Sequence, residues 1–298
     1  MKTKDVNFLE ENLTRINKAL FKTLPEKENS RVTEAIHYSV MNGGKRIRPQ
    51  IILLLCEMLE VEITSDNVDL IAAAGELIHC YSLIHDDLPA MDDDDYRRGQ
   101  LSCHKQFDEA TAILAGDAIQ PLSLEVLTSI EDPNLEAKTK LEIINLFARA
   151  CGPEGMVEGQ NRDILAENKV LTEEELDELH YLKTGKLIEA CVLCVCLMKK
   201  NIDKDLIEKL KTFSNKFGLA FQIRDDILDE IGDEETIGKP VKSDLKNNKS
   251  TYPSILGIEE SQKKAELLIE EALLILDKLP FNTEKLNALC KLVVNRKN

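Results

Sequence analysis

The stretch LIAAAGELIHCYSLIHDD, residues 70–87, decides the fold. Its first sixteen residues are apolar nearly all round, the pattern of a helix buried in the middle of a bundle rather than lying on a surface. It then delivers two aspartates at its C-terminal end, where unpaired carbonyls already concentrate negative charge, so acids there lower helix stability. The chain continues LPAMDDDDYRRG (88–99), which brings the carboxylates to six between Asp86 and Asp95. Pro89 removes a backbone donor and bends the chain, which returns Asp92 toward Asp86 and Asp87. A solvated acidic cap is the plain reading of such a run; a bound cation is the functional one.

Composition narrows the choice. The chain has 298 residues, 43% of them apolar, with no Trp, 4% aromatic residues, 13 Gly and 9 Pro. Leu, Ile, Ala, Glu and Lys dominate, which predicts an all-α protein with almost no strand. Helical periodicity recurs along the chain and is broken at short polar segments, giving about ten helices. None of the breaks is a Ser/Gly/Pro linker, so the expectation is a single domain over 1–298, with a polar segment at about 232–250 read as a mobile flap. Thr172 and Glu175 stand in capping-box spacing. The opening helix places Phe8, Leu9, Leu13, Ile16, Leu20 and Phe21 at helical spacing, as in a surface helix and not a targeting peptide.

The formal net charge of −16 excludes a nucleic-acid partner, which would need a basic face. The eight cysteines lie mostly in apolar stretches, CVLCVC (191–196) among them, and read as small core residues of a cytoplasmic protein. No apolar run approaches bilayer length, so membrane insertion is not expected.

A second apolar helix, FGLAFQIRDDILDE (217–230), ends in Asp225, Asp226 and Asp229. Asp225 and Asp229 share a face at i, i+4 spacing, where like charges repel unless a cation bridges them. Two acid-tipped helices suit a hard cation such as Mg²⁺, which needs only oxygen ligands, taking a few carboxylates and completing its shell with water and phosphate oxygens without His or Cys. A third set is basic: GGKRIRP (43–49), RRG (97–99), YLKTGK (181–186) and Lys239, Lys246 and Lys249. Each alone reads as surface charge. Together they would hold a second diphosphate without metal, and Gly43 and Gly44 would let backbone approach it.

In order along the chain, GGKRIRP, HDDLPAMDDDDYRRG, HKQF, AGDAI, GQNRD, KTGKL, FQIRDDILD and KSTYP resemble the motifs of the trans-isoprenyl diphosphate synthases. The two extra residues in DDLPAMD make the resemblance strongest to the bacterial-type, fifteen-carbon (farnesyl) branch. The resemblance implies an antiparallel helical bundle around a deep central cavity, a homodimer, and three Mg²⁺ held by Asp86, Asp92 and Asp225, with Asp87, Asp226 and Asp229 as ligands or their supports. It implies that Arg97, Lys183, Gln222, Lys239 and Lys249 meet the allylic diphosphate. Gly44, Lys45, Arg48, His79 and Arg98 would bind isopentenyl diphosphate, with Arg46 beside them and Gln160 and Asp163 near the metal-bound end. Arg224 departs from the uncharged residue common in the family. A core histidine would otherwise be the default for His79.

The implied reaction ionises an allylic diphosphate, and the double bond of isopentenyl diphosphate attacks the resulting cation. Thr184, Gln222 and the Lys183 carbonyl would supply dipoles near it. Tyr81 and Ser82 lie roughly 6–8 Å behind Asp86 along the helix, where a bulky side chain would stop product growth at fifteen carbons. A geranylgeranyl or longer-chain synthase, a terpene cyclase, a non-catalytic subunit and a plain acidic Ca²⁺-binding protein remain as alternatives on sequence alone.

Overall fold

In the computed structural model of the chain, residues 7–26, 30–231 and 249–294 are described. They form two compact units, Met1–Asn145 and Leu146–Asn298.

The first unit contains α1 (Asn7–Thr23), α2 (Arg31–Met41), α3 (Ile47–Met58), α4 (Ser65–Asp86), α5 (Cys103–Gln106) and α6 (Glu109–Thr128). A two-strand hairpin, β1 (Tyr96–Arg97) and β2 (Gln100–Leu101), follows α4. Helix α4 is the central post, packed by α1, α3 and α6. Ala72, Ala73, Ala74 and Gly75 keep it thin enough for close neighbours, while Ile71, Leu77 and Ile78 are fully buried. Each such side chain contributes about 1.5–3 kcal/mol, against about 0.3–1 kcal/mol lost per aspartate at a helix C-terminus. Packing therefore fixes where α4 ends and the acids are carried along.

α7 (Ala137–Cys151) runs through the boundary in sequence. The second unit then comprises α8 (Met156–Leu165), α9 (Glu173–His180), a π-helical turn (Tyr181–Gly185), α10 (Lys186–Met198), α11 (Lys204–Ile231), α12 (Tyr252–Leu256), α13 (Ile258–Asp277) and α14 (Glu284–Val294). α11 is its long axis, packed by α10, α12, α13 and α14. Leu176, Ile223, Ile227, Tyr252 and Ala265 form a buried cluster beside the aspartates of α11.

The all-α expectation holds, with more and shorter helices than the periodicity suggested. The Thr172–Glu175 capping box forms in both directions. All eight cysteines are buried and free, including Cys191, Cys194 and Cys196. Phe21 is exposed, against a His37 ring that meets it edge-on. Helix α6 is long and apolar enough, by length and composition only, to cross a membrane; it packs against α4 and α2 and carries Glu109, Asp117 and Glu125. The expected flap falls outside the described residues except for Lys249 and Ser250, so Lys239 and Lys246 lie outside them too.

Candidate active site

In the first unit the end of α4 and the segment behind it form a charged centre. The Asp92 N–H donates to the Asp86 carbonyl at 2.9 Å, so the chain does fold back after Pro89 as its sequence suggests. Asp87 is 2% exposed and is held by Arg97, whose Nε donates to Oδ1 at 3.0 Å and whose Nη2 makes a second, closer contact. Arg97 also reaches Asp94 at 3.2 Å. Burial pushes the Asp87 carboxyl above its usual range although Arg97 opposes the shift. The positive charge missing from the acid run is thus supplied in part by Arg97, a residue read from the resemblance as a diphosphate ligand.

A cleft lined by Tyr38, Asn42, Asp87, Arg97 and Arg98 opens beside this pair. His79 sits on α4 one helical stretch before Asp86 and is held well below its ordinary pKa, first by burial, then by the nearby charges of Arg48, Arg98, Arg46 and Arg97. Arg46 is paired with Glu76 and Arg97 with Asp87, and the excess of positive charge around the imidazole would favour an anion in a protein that is acidic overall. Arg48 is buried on α3 and Lys45 is exposed just before it. Gly43 and Gly44 take positive φ (75° and 102°), and a β-carbon on Gly44 would meet the Arg98 guanidinium carbon at 2.5 Å. The left-handed backbone favours glycine at both positions.

Tyr81 is 5% exposed and meets the His85 ring edge-on, with centroids 6.0 Å apart. The Ser82 hydroxyl donates to the His79 carbonyl at 2.9 Å within its own helix.

Carboxylate oxygens throughout Asp86, Asp87 and Asp92 fit a hard divalent cation. Among the described residues, however, Asp93, Asp95 and His104 are the group whose ligand atoms come within 4.8 Å of one another, with Lys105 2.8 Å from Asp95. Asp87 is instead engaged by Arg97.

In the second unit the site residues gather around the π turn. Lys183 donates to Asp163 Oδ2 at 2.7 Å, and Lys249 donates to the same oxygen at 2.9 Å. Burial would raise the Asp163 carboxyl, but the two ammonium groups more than offset it and hold it well below the usual range. The Thr184 hydroxyl donates to Gln222 Oε1 at 2.9 Å, and Gln222 Nε2 donates to Asp226 Oδ1 at 3.0 Å. Asp226 Oδ2 accepts from the Tyr252 N–H at 3.2 Å and lies 3.5 Å from His180 Nε2. Asp226, 4% exposed, is thereby engaged on both oxygens by protein groups, while Asp225 is half-buried and Asp229 is 6% exposed on the same helix. Arg224 is half-buried beside Asp225. A π turn is a frequent mark of a functional position; helical periodicity gives no sign of it, and YLKTG reads simply as helix.

Comparison with known proteins identifies the family. Residues 29–289 match the polyprenyl synthetase family. The chain is 44% identical over 289 residues to the farnesyl diphosphate synthase of Haemophilus influenzae, covering 96% of each chain. It is 40% identical over 298 residues to the geranylgeranyl diphosphate synthase of Cyanophora paradoxa, covering 98% of this chain and 97% of that one. The crystal structure of a Helicobacter pylori geranyltransferase, complexed with magnesium and isoprenyl diphosphate, superposes with a TM-score of 0.88 at 33% identity, covering 99% of both chains. The helical architecture, the acid-tipped α4 and α11, and matches that run through both units have one common explanation: the chain belongs to the polyprenyl synthetase family.

Proposed function

We propose that the protein is a magnesium-dependent prenyltransferase that condenses isopentenyl diphosphate with dimethylallyl and then geranyl diphosphate to give farnesyl diphosphate. The observation that carries this reading is the meeting of the RRG hairpin with the GGKRIR segment, where Arg98 Nη1 donates to the Gly43 carbonyl at 2.5 Å while Arg98 Nη2 lies 3.7 Å from Glu76 on the helix that ends in Asp86. A terpene cyclase binds one diphosphate and has no use for such a metal-free anion seat. The family match over 29–289 spans both units and supports reading the chain as a single functional domain.

Asp86, Asp87, Asp92, Asp225, Asp226 and Asp229 are assigned to magnesium, directly or by positioning the residues that bind it. Bound magnesium supplies positive charge to the oxygens of the departing diphosphate. Lys183, Lys249 and Arg97 contact that diphosphate after leaving Asp163 and Asp87. Lys45, Arg48, His79 and Arg98 hold isopentenyl diphosphate, with the Gly44 backbone close enough to contribute its N–H. As the allylic C–O bond breaks, the Thr184–Gln222 pair and the Lys183 carbonyl turn dipoles toward the developing cation. The C=C of isopentenyl diphosphate forms the new C–C bond, and the proton lost from the adjacent carbon passes to the released diphosphate. No side-chain nucleophile is needed.

The exposed Ile113 and Leu114 of α6 offer apolar surface for a second copy of the chain, as in a homodimer. Eight buried free thiols support a cytoplasmic location.

The deciding experiment incubates the purified chain with labelled isopentenyl diphosphate and geranyl diphosphate, then sizes the alcohols after phosphatase. A fifteen-carbon alcohol that disappears with EDTA and returns with Mg²⁺ is expected. A twenty-carbon product would reassign the chain to geranylgeranyl synthesis, and no incorporation of isopentenyl diphosphate would overturn the reading.

A further inference from the structure

Glu76 is a lone acid in the apolar stretch of α4, and its side chain is 1% exposed. A buried carboxylate is costly unless paired and hydrogen-bonded. Its Oε1 accepts from Arg46 Nη1 at 2.8 Å, and Arg98 Nη2 lies 3.7 Å from the same oxygen. Arg46 is itself fully buried; it donates through Nη2 to the Val40 carbonyl at 2.5 Å and through Nε to Asn17 Oδ1 at 3.2 Å. Arg98 Nη1 donates to the Gly43 carbonyl at 2.5 Å.

The two arginines come from separate segments, the Gly43–Arg46 turn and the β hairpin, and both take left-handed backbone, φ 48° and 55°. Non-glycine residues persist there only when the surroundings hold them. The same carboxylate oxygen that bonds Arg46 also lies within ion-pair distance of Arg98. Facing both guanidiniums, the carboxylate joins the Arg98–Gly43 hydrogen bond in tying the hairpin to the turn that carries Lys45 and to the first residues of α3, where Arg48 sits.

We propose that Glu76 is a positioning residue for isopentenyl diphosphate, setting the spacing between Arg98 on one side of the anion seat and Lys45 and Arg48 on the other. This rests on the function proposed above, within which it assigns a role to a residue that touches neither substrate.

The test is steady-state kinetics of Glu76→Gln, Glu76→Asp and the double variant Arg46→Met with Glu76→Met, varying each substrate in turn. Glu76→Gln is expected to raise KM for isopentenyl diphosphate about tenfold or more, the scale of a lost charge-assisted hydrogen bond, while KM for geranyl diphosphate stays within about twofold. Glu76→Asp recovers part of the loss. The double variant, with no buried charge left unpaired, recovers thermal stability but not the KM for isopentenyl diphosphate. Equal changes in both KM values, or a double variant with wild-type KM for isopentenyl diphosphate, would overturn the proposal. If Glu76→Gln does not fold, the double variant decides alone. A wild-type enzyme that fails to consume isopentenyl diphosphate would overturn the functional reading as well, whereas an active Glu76→Gln variant with unchanged KM removes only the role of Glu76.

Discussion

Gly159 of α8 lies so close to Lys183 in the π turn that a β-carbon on it would collide with the Lys183 backbone nitrogen. The lysine is placed by its main chain before its side chain reaches any partner. Gly159→Ala therefore displaces the π turn. Overpacking of this kind costs about 1–3 kcal/mol, so a lower melting temperature is expected together with a drop in kcat larger than any change in KM for isopentenyl diphosphate. Calorimetry and initial rates check it; wild-type kcat in a folded variant would contradict it.

Asp163→Asn leaves the Lys183 and Lys249 ammonium groups without their shared anion. Loss of one partner from a largely buried ion pair costs about 3 kcal/mol. Because the folded-state pKa of Asp163 is depressed, the unfolded chain binds more protons below the ordinary value of 3.8. The stabilisation is fully present above that pH and is lost as pH falls below it. Acid unfolding curves of the variant should be flatter below pH 4 than those of the wild type.

His79 works in a different window. Its folded pKa lies well below 6.5, so the native state resists protonation that the unfolded chain accepts. Stability is complete above about pH 6.5 and falls as pH drops below it. Melting temperatures of wild type and His79→Gln, measured from pH 8 to pH 5, should converge at the acid end. Parallel curves would show that His79 is not held neutral.

Tyr81→Ala removes a buried ring from α4. The expected result is a product longer than fifteen carbons, read by chromatography of the dephosphorylated alcohols. An unchanged product would remove Tyr81 as the stop. Truncating a large core side chain also costs about 3–5 kcal/mol, so the assay belongs below the variant's melting range.

The local parts of this design are legible in the sequence. All-round apolarity identifies α4 as buried, Pro89 announces the return of Asp92 to Asp86, and Thr172 with Glu175 marks a helix start, because each depends on residues a few positions apart. Partner choice is not legible in the same way. Lys249 finds Asp163 and Arg46 finds Glu76 only through tertiary placement, and Asp87 is taken by Arg97 although both could have been read as free to meet a ligand. The π turn escapes because one inserted residue hardly disturbs a 3.6-residue period. A lone Glu in LIAAAGELIHCY was the available sign of the buried network, since an acid there needs a buried cation.

One oxygen of Asp163 seats both Lys183 and Lys249. For the role proposed above, an arriving anion must displace a resident carboxylate rather than settle onto exposed cations. Inorganic phosphate and monophosphates, with less charge to offer, are disadvantaged in that exchange relative to a diphosphate. Discrimination among cellular phosphates is in this way built into an internal competitor, and weakening Asp163 would make the lysines stickier but less choosy.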